Sequence, residues 1–201
     1  MAGLRERQKE DRQNRILRAA HDLFIESGYE RTTVEAIAEV AQVSGVTVHN
    51  YYGTKSNVLL ALVTESDRQL VARIDAELAD RRLRLNDLVL QFAAVIRDHA
   101  LANLDKALWR QVIAASVIEA ASPFGRAYHA LDSQLALALV RQIEALQVHG
   151  AVPAAASAKD LGNVLFHIQN TRFIQFISVP EMTDAEAHAR LEADLGALLA
   201  V

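Results

Sequence analysis

Residues 32–55 read TTVEAIAEVAQVSGVTVHNYYGTK, and this stretch decides the fold of the amino-terminal part of the chain. Two short amphipathic segments lie on either side of a few residues that suit a tight turn, and an aromatic pair and a lysine follow. The pattern predicts two helices, from 32 or 33 to 40 and from 44 to 51. Such a pair can place its second helix in the major groove of DNA.

Hydroxyl residues stand where each of these helices begins. Thr32 or Thr33 can cap the first helix, and Glu35 stands three residues after Thr32, as in a capping box. Ser44 is suited to cap the second helix. The apolar positions that we expect to face inward are Ile37, Ala38, Val43 and Val48.

The opposite side of the second helix carries groups that can hydrogen-bond to base edges or stack on them: Thr47, His49, Asn50 and Tyr51. Lys55 stands just before the next helix, where its ammonium and the helix dipole can together hold a phosphate. Alternatives stay open here. Tyr51 can pack beneath the next helix, Tyr52 is expected in the core, and Lys55 can be an ordinary solvated lysine.

Beyond this stretch, alanine and leucine recur at helical spacing, and no alternating strand pattern appears, which indicates an all-α protein. We predict an amino-terminal three-helix domain over 1–55 and a larger helical bundle over 56–201. Gly28 should end the first helix, and Thr183 with Glu186 forms a second capping-box pattern. The other expected helices span about 8–27, 56–82, 86–102, 104–121, a segment ending at 149, 158–178 and 183–199, the third of them capped by Asn86 or Asp87.

The composition narrows the function classes. With 201 residues, 51% of them hydrophobic, the chain can bury a substantial core. The absence of cysteine removes disulfides, thiolate metal sites and cysteine nucleophiles, and fits a reducing cytoplasm. The first residues are charged where a signal peptide needs an apolar run, and no 18-residue apolar span is free of charge. We therefore expect a cytoplasmic protein without a membrane helix.

The net charge of −4 at first argues against a nucleic-acid partner. Residues 5–18, however, contain six basic and three acidic side chains, and a binding surface depends on local charge rather than on the average. This segment is either part of a DNA-binding surface or an ordinary solvated face, and charge alone does not separate the two.

Residues 16–60 resemble the DNA-binding domain of the TetR family of transcriptional regulators. The length of the chain and its helical carboxyl-terminal part also agree with that family. The elements that carry the resemblance are Phe24, Gly28-Tyr29, Thr32-Thr33-Val34, Ile37-Ala38, Val43-Ser44, Thr47, Tyr51-Tyr52, Lys55 and Leu59.

The resemblance implies a homodimer, usually a repressor, that binds a palindromic DNA operator and is released by a small molecule bound in its carboxyl-terminal domain. Thr47, Tyr51 and Lys55 inherit DNA contacts, and Thr33 would contact a phosphate. Together with the outward positions and the cap, the predicted DNA-binding residues are Thr33, Ser44, Thr47, His49, Asn50, Tyr51 and Lys55.

Several positions depart from the family pattern. Gln42 stands where glycine is usual in the turn, and a left-handed conformation there costs roughly 1–2 kcal/mol for a residue with a side chain. Gly45 and Val46 invert a common order of a bulky and then a small residue, and His49 and Asn50 replace a frequent tyrosine and histidine. These changes alter the expected base preference, not the way the helix docks.

The carboxyl-terminal helices carry apolar stripes, which usually form the core of their own chain. At the end of a TetR-like chain, however, two such helices resemble the pair that joins a second copy as a four-helix bundle, so the expected dimerisation residues are Leu161, Val164, Leu165, Ile168, Leu191, Leu195 and Leu198. Polar groups among apolar helices suggest a pocket for a small hydrophobic effector. The candidate ligand residues are Trp109, Ser116, His129, His167 and Asn170.

The sequence contains no pattern typical of a metal site or of an enzyme. The seven histidines lack the spacing of a helix-borne metal site, so neither a metal nor another cofactor is expected. An enzyme is not expected either, because no phosphate-binding loop or nucleophile motif occurs. A DNA-associated factor that recruits a protein partner through the same helix pair remains an alternative to a ligand-released repressor.

Overall fold

The computed structural model describes residues 2–78 and 83–199. Within these residues the chain folds into helices and contains no strand, which confirms the all-α prediction for this part. The helices are α1 (Ala2–Ser27), α2 (Val34–Val40), α3 (Gly45–Tyr52), α4 (Lys55–Glu77), α5 (Leu85–Asn103), α6 (Lys106–Ile118), α7 (Pro123–Val148), α8 (Ala158–Ser178) and α9 (Asp184–Leu199).

The helices divide between two compact units. The first unit comprises the chain up to Glu65 together with Gln111–Arg126. The second comprises Ser66–Arg110 and Ala127–Val201. Helices α4 and α6 each contribute residues to both units. The assignment of DNA binding to 1–55 and of ligand binding and dimerisation to 56–201 concerns function and stays a prediction.

In the first unit, α2 packs against both α1 and α3. Ile16, Ala20 and Phe24 follow one another at intervals of four residues along α1, so they share one face, and all three are buried. Helix α1 begins at Ala2, earlier than the expected start near residue 8. An ion pair one turn apart supports the added turns, because Lys9 pairs with Glu6.

In the second unit, α5 packs against α8 and α9, and α8 packs against α9. The shared core consists of large side chains that are fully enclosed, among them Phe92, Leu139, Leu165, Phe176 and Leu195. Helices α7 and α8 approach closely at Gly162, where a Cβ atom would lie 2.6 Å from Cγ2 of Val140. A glycine is therefore required at that crossing.

The ends of several helices differ from the predicted ones. Thr33, not Thr32, caps α2, because its side chain accepts a hydrogen bond from the N–H of Ala36. Thr32 is buried and donates to the carbonyl of Gly28 instead. Neither Asn86 nor Asp87 caps α5. That position belongs to Arg84, whose side chain makes no capping bond.

Helices α6 and α4 are shorter than predicted. Helix α6 begins at Lys106 rather than at 104, because Leu104 is extended and Asp105 accepts a hydrogen bond from the N–H of Leu108. It ends at Ile118 rather than at 121. Helix α4 ends at Glu77 instead of 82, and residues 79–82 of that prediction lie outside the described residues.

The predicted capping box at α9 is confirmed. The N–H of Thr183 donates to the Glu186 carboxylate at 2.8 Å, and the N–H of Glu186 donates to the Thr183 hydroxyl oxygen at 3.2 Å. The bond from the Thr183 N–H, followed by a bond of 3.0 Å from the Thr183 hydroxyl, holds the pKa of the Glu186 carboxyl below its usual value. Gly28 and Gly150, both with positive φ, follow α1 and α7.

Candidate nucleic-acid interface

Helix α3 has one buried side and one exposed side. Val48 is enclosed in the core of the first unit, while His49 and Asn50 are exposed. Val46 is 68% exposed, which is unusual for a valine on a short helix. Because Val48 fixes the rotation of the helix about its axis, the other three side chains form its free surface.

The predicted inward positions agree with this arrangement except at one site. Ile37, Ala38 and Val48 are buried, whereas Val43 is only half-buried. The turn that positions α3 contains Gln42 with φ of 55°, so the left-handed conformation expected at this residue is confirmed. Within the described residues, no other non-glycine residue has a positive φ.

The start of α3 is held by its own polar side chains. Ser44 accepts a hydrogen bond from the N–H of Thr47 at 3.1 Å, and the two hydroxyl oxygens are 2.8 Å apart. Ser44 therefore acts as the helix cap, and Thr47 is held in one orientation. Thr33 has the same role at α2, since its exposed side chain caps that helix.

His49 and the aromatic pair lie at the end of α3. Nδ1 of His49 lies 2.8 Å from the carbonyl oxygen of Gly53, so Nδ1 carries the proton and Nε2 is left for another partner. Tyr51 and Tyr52 are both half-buried, with ring centres 6.2 Å apart. The side chain of Tyr52, which is expected in the core, is thus only partly enclosed.

Lys55 makes contacts that the sequence did not predict. Its ammonium donates to the carbonyl oxygens of Tyr29 at 2.7 Å and Thr32 at 3.0 Å, and it lies 4.2 Å from the centre of the Tyr29 ring. A longer bond of 3.4 Å reaches Glu30. A phosphate would have to replace one of these carbonyls, so the predicted phosphate contact competes with a structural one.

The predicted dimerisation residues divide into two groups. Leu165, Leu191 and Leu195 are enclosed within the second unit, so they are core residues of their own chain. Val164 and Leu198 are 50% and 46% exposed. They line an open groove along α8 and α9 together with Ile168 and His167, and half-buried Leu161 lies two turns before Ile168 on α8.

The second unit contains a small cavity of about 30 Å³. Two of the five predicted ligand residues, Trp109 and Asn170, line it. The other three do not. Ser116 belongs to the first unit and donates to the carbonyl of Ile113, while His129 and His167 are exposed. Ser116 thus makes a hydrogen bond within its own helix, and the two histidines face solvent.

Sequence reasoning missed two residues. Val46 is apolar at an outward position of the predicted helix, and that contrast was the available signal. Asp132 lines the cavity, and it stands one helical turn after Tyr128, a second cavity residue. Burial raises the pKa of Asp132 to about 6, opposed by nearby His129, a hydrogen bond from Asn170 and nearby His167.

No group of three metal-ligating side chains occurs within 2–78 and 83–199. None of the helices described in these ranges is both long and apolar enough to cross a bilayer.

Comparison with known proteins places the helix pair in a family. Residues 16–62 match the family model of bacterial regulatory proteins, tetR family. The chain is 33% identical over 109 residues to the HTH-type transcriptional regulator TcmR of Streptomyces glaucescens, an alignment that covers 53% of this chain and 48% of that protein. The chain spans about half the length of the curated relatives it matches.

Solved structures share the whole fold. A putative TetR-family transcriptional regulator from Mesorhizobium loti superposes with a TM-score of 0.69 at 21% identity, covering 94% of this chain and 95% of that one. Thermus thermophilus FadR, a TetR-family repressor in complex with lauroyl-CoA, superposes with a TM-score of 0.64 at 23% identity, and the superposition covers 93% of each chain. Residues 16–62 therefore match the tetR family of bacterial regulatory proteins, and the chain shares its fold with these solved structures.

Proposed function

We propose that this protein is a cytoplasmic, sequence-specific DNA-binding regulator, and specifically a repressor that a small molecule releases from its operator. The observation that carries the proposal is helix α3, whose exposed side displays Val46, His49 and Asn50 within the segment that matches the family. The curated relatives it matches are named as regulators, and no catalytic activity is proposed.

The chemistry of the exposed side suits reading of base edges. The Asn50 amide can make paired hydrogen bonds to an adenine, and the Val46 methyl groups can contact the methyl group of a thymine. The free Nε2 of His49 can accept a hydrogen bond from a base amino group. Thr47 and Tyr51 are half-buried, and they can reach the sugar-phosphate backbone or a base beside it.

A palindromic operator would follow from pairing of two copies. The groove along α8 and α9, with exposed Val164 and Leu198, supplies an apolar surface for a second copy. In such a dimer the two α3 helices would lie about 34–36 Å apart to enter successive major grooves.

The cavity of the second unit supports the effector part of the proposal. One of the solved structures of the same fold is described as a complex with lauroyl-CoA. Here the cavity wall includes Trp109 of α6, the helix that continues into the first unit. A ligand that changes the position of α6 would alter operator affinity, and such coupling is typically about 1–3 kcal/mol.

Hydrogen bonds within the first unit connect the end of α6 to the helix-turn-helix. Ser56 donates to the carboxylate of Glu119 at 3.2 Å, and the Ser56 and Tyr29 hydroxyl oxygens are also 3.2 Å apart. The carbonyl of Tyr29 in turn accepts from Lys55. A displacement of Glu119 would therefore shift the residues hydrogen-bonded to it, at the start of α4 and at the turn before α2.

The DNA-binding proposal is tested by selecting duplexes from a random pool and titrating the enriched sequence by fluorescence anisotropy. We expect two related half-sites. Asn50→Ala and Val46→Ala should each lower the preference over random duplex by about 1–3 kcal/mol per base pair read. Gln134→Ala, an exposed change on α7, is the matched control. An unenriched pool would reject sequence-specific binding.

A further inference from the structure

The cavity of the second unit is walled mainly by apolar side chains from five helices, α4 to α8. Three aromatic rings belong to it: Trp109, Tyr128 and Phe173. The Trp109 indole donates to the carbonyl of Ala100 at 3.0 Å and meets the Phe173 ring edge-on at 5.4 Å. The indole is therefore held in place where it lines the cavity.

Asp132 is the one acidic residue among those that line this cavity, and no lysine or arginine is among them. The nearest amide, Nδ2 of Asn170, lies 3.5 Å from Oδ2, which makes a weak hydrogen bond. A carboxylate in an apolar wall with one weak partner is poorly compensated. A cationic ligand would therefore stabilise the Asp132 carboxylate more than it would stabilise a solvated carboxylate.

The titratable groups around Asp132 are three histidines and the phenol of Tyr128, which lines the same cavity. His129 precedes it by one turn on α7, His167 belongs to α8, and His99 of α5 lines the same cavity. Desolvation nevertheless dominates and raises the pKa of the Asp132 carboxyl to about 6. At neutral pH the group is therefore mostly ionised, but burial opposes the charge that a cationic ligand would neutralise.

We propose that the effector of this protein is a small organic cation, an apolar body with a protonated amine or quaternary ammonium that pairs with Asp132 beside the aromatic rings. The regulatory role of this ligand depends on the proposed function. The binding site itself depends only on the cavity and its lining residues. Carboxylate and aromatic faces together are the groups that recognise alkylammonium ions in proteins.

The same wall disfavours acids. A ligand carboxylate would bring a second negative charge towards Asp132, and no lysine or arginine among the lining residues would neutralise it. The present cavity of about 30 Å³ holds little more than one water molecule. A bound cation must therefore move part of the wall, which provides a means of linking occupancy to the helices that form it.

The test uses three probes of nearly equal shape: benzylamine, benzyl alcohol and benzoate. Trp109 is the single tryptophan of the chain, so its fluorescence reports on the cavity wall. With the full-length protein at about pH 8, benzylamine should bind about tenfold or more tightly than benzyl alcohol, and benzoate most weakly. Its affinity should fall at about pH 5, where Asp132 is protonated.

Asp132→Asn should abolish the preference for the amine and leave the affinity for the alcohol within about twofold. Asp98→Asn, at an exposed acid of α5, is the control and should keep the preference. Equal affinity for amine and alcohol, tighter binding of benzoate, or a preference unchanged in Asp132→Asn would overturn the proposal. So would the lack of a saturable signal with both benzylamine and tetramethylammonium.

Failure of the proposed function is measured separately. Amine binding that leaves the anisotropy titration of operator DNA unchanged would support the site and reject release by its ligand. Sequence-specific DNA binding without any amine binding would instead reject the cation site and leave the regulator proposal standing.

Discussion

At the scale of single residues, two lysines have the same structural task. Lys55 begins α4 and Lys106 begins α6, and each ammonium donates to carbonyl oxygens of a turn distant in sequence. Each also lies over an aromatic ring, at 4.2 Å from the Tyr29 centroid and 3.9 Å from the Phe176 centroid. Each ammonium thus adds a charged donor to carbonyls at a turn, and the carbonyls of Tyr29 and Val179 also accept a backbone N–H.

Replacing Lys55 distinguishes its two possible roles. Lys55→Met should lower the free energy of unfolding by about 1–3 kcal/mol, because the carbonyls of Tyr29 and Thr32 lose a charged donor. Denaturant titration measures this, with the exposed Lys159→Met as control. Unchanged stability combined with a salt slope of DNA binding lower by about one unit would instead identify a phosphate contact.

Asp132 gives a pH-dependent prediction at the same scale. Its pKa is raised from 3.8 to about 6 in the folded protein, so the folded state binds this proton more tightly than the unfolded state does. The resulting loss of stability is absent below about pH 3.8 and complete above about pH 6. As the pH rises from about 4 to 7, the free energy of unfolding of Asp132→Asn should therefore increase relative to that of the unchanged protein by on the order of 2–3 kcal/mol.

Denaturant unfolding of both proteins at several pH values, at one protein concentration, gives that difference. Other carboxylates contribute equally to the two curves and cancel. Asp98→Asn should run parallel to the unchanged protein, because its carboxylate is largely exposed. If the Asp132→Asn curve were parallel as well, the carboxyl would be hydrated and the cavity wetter than its walls indicate.

At the scale of helices, the contact between α7 and α8 depends on one missing side chain. A Cβ at Gly162 would lie 2.6 Å from Cγ2 and 3.1 Å from Cα of Val140, and a β-branched valine has little freedom to move away. The small residue lets the two helices approach closely, next to the part of α8 that carries the cavity residues. This helix pair is thus tightly defined.

Gly162→Ala should destabilise the protein by about 1–3 kcal/mol through overpacking, although alanine is the better helix former. Gly196→Ala in α9 is the matched control, since no atom lies within 4 Å of its added Cβ. That change should stabilise by about 0.5–1 kcal/mol. Differential scanning calorimetry should show melting temperatures that move in opposite directions, and a shift of both upwards would contradict the tight crossing.

At the scale of the whole molecule, the proposed binding to a palindromic operator requires a second copy of the chain. The exposed side of α8 and α9 is the surface offered for it, because Leu165, Leu191 and Leu195 are already used in the core. Arg172 and Asp194 connect the two helices through two hydrogen bonds of 2.5 Å, which also lower the pKa of Asp194. The paired helices would then present one surface.

Leu198→Glu should weaken the proposed dimer about 100-fold or more, since two copies would each bury an unpaired carboxylate. Sedimentation equilibrium measures the association constant, and operator affinity should fall with it. Val148→Glu is the control, because Val148 is also an exposed apolar residue and lies outside the groove. Unchanged association of the Leu198 variant would exclude this face as the interface.

Much of the helix-turn-helix could be predicted from the sequence. Ser44 caps α3, Gln42 adopts the left-handed conformation, and Val48 is buried, all as expected. Caps, turns and helical periodicity involve residues at most a few positions apart, so the local sequence specifies them. The same local reasoning could not choose between Thr32 and Thr33, because that choice depends on the carbonyl of Gly28 at the end of α1.

The remaining features were decided by tertiary structure. Lys55 donates to carbonyls that lie 23 to 26 residues earlier in the chain. Asp132, Trp109 and Phe173 line one cavity from three different helices. An apolar stripe on α8 did not reveal whether Leu165 or Val164 faces the chain's own core. Periodicity shows that a helix has an apolar side, but what that side contacts depends on how distant segments pack together.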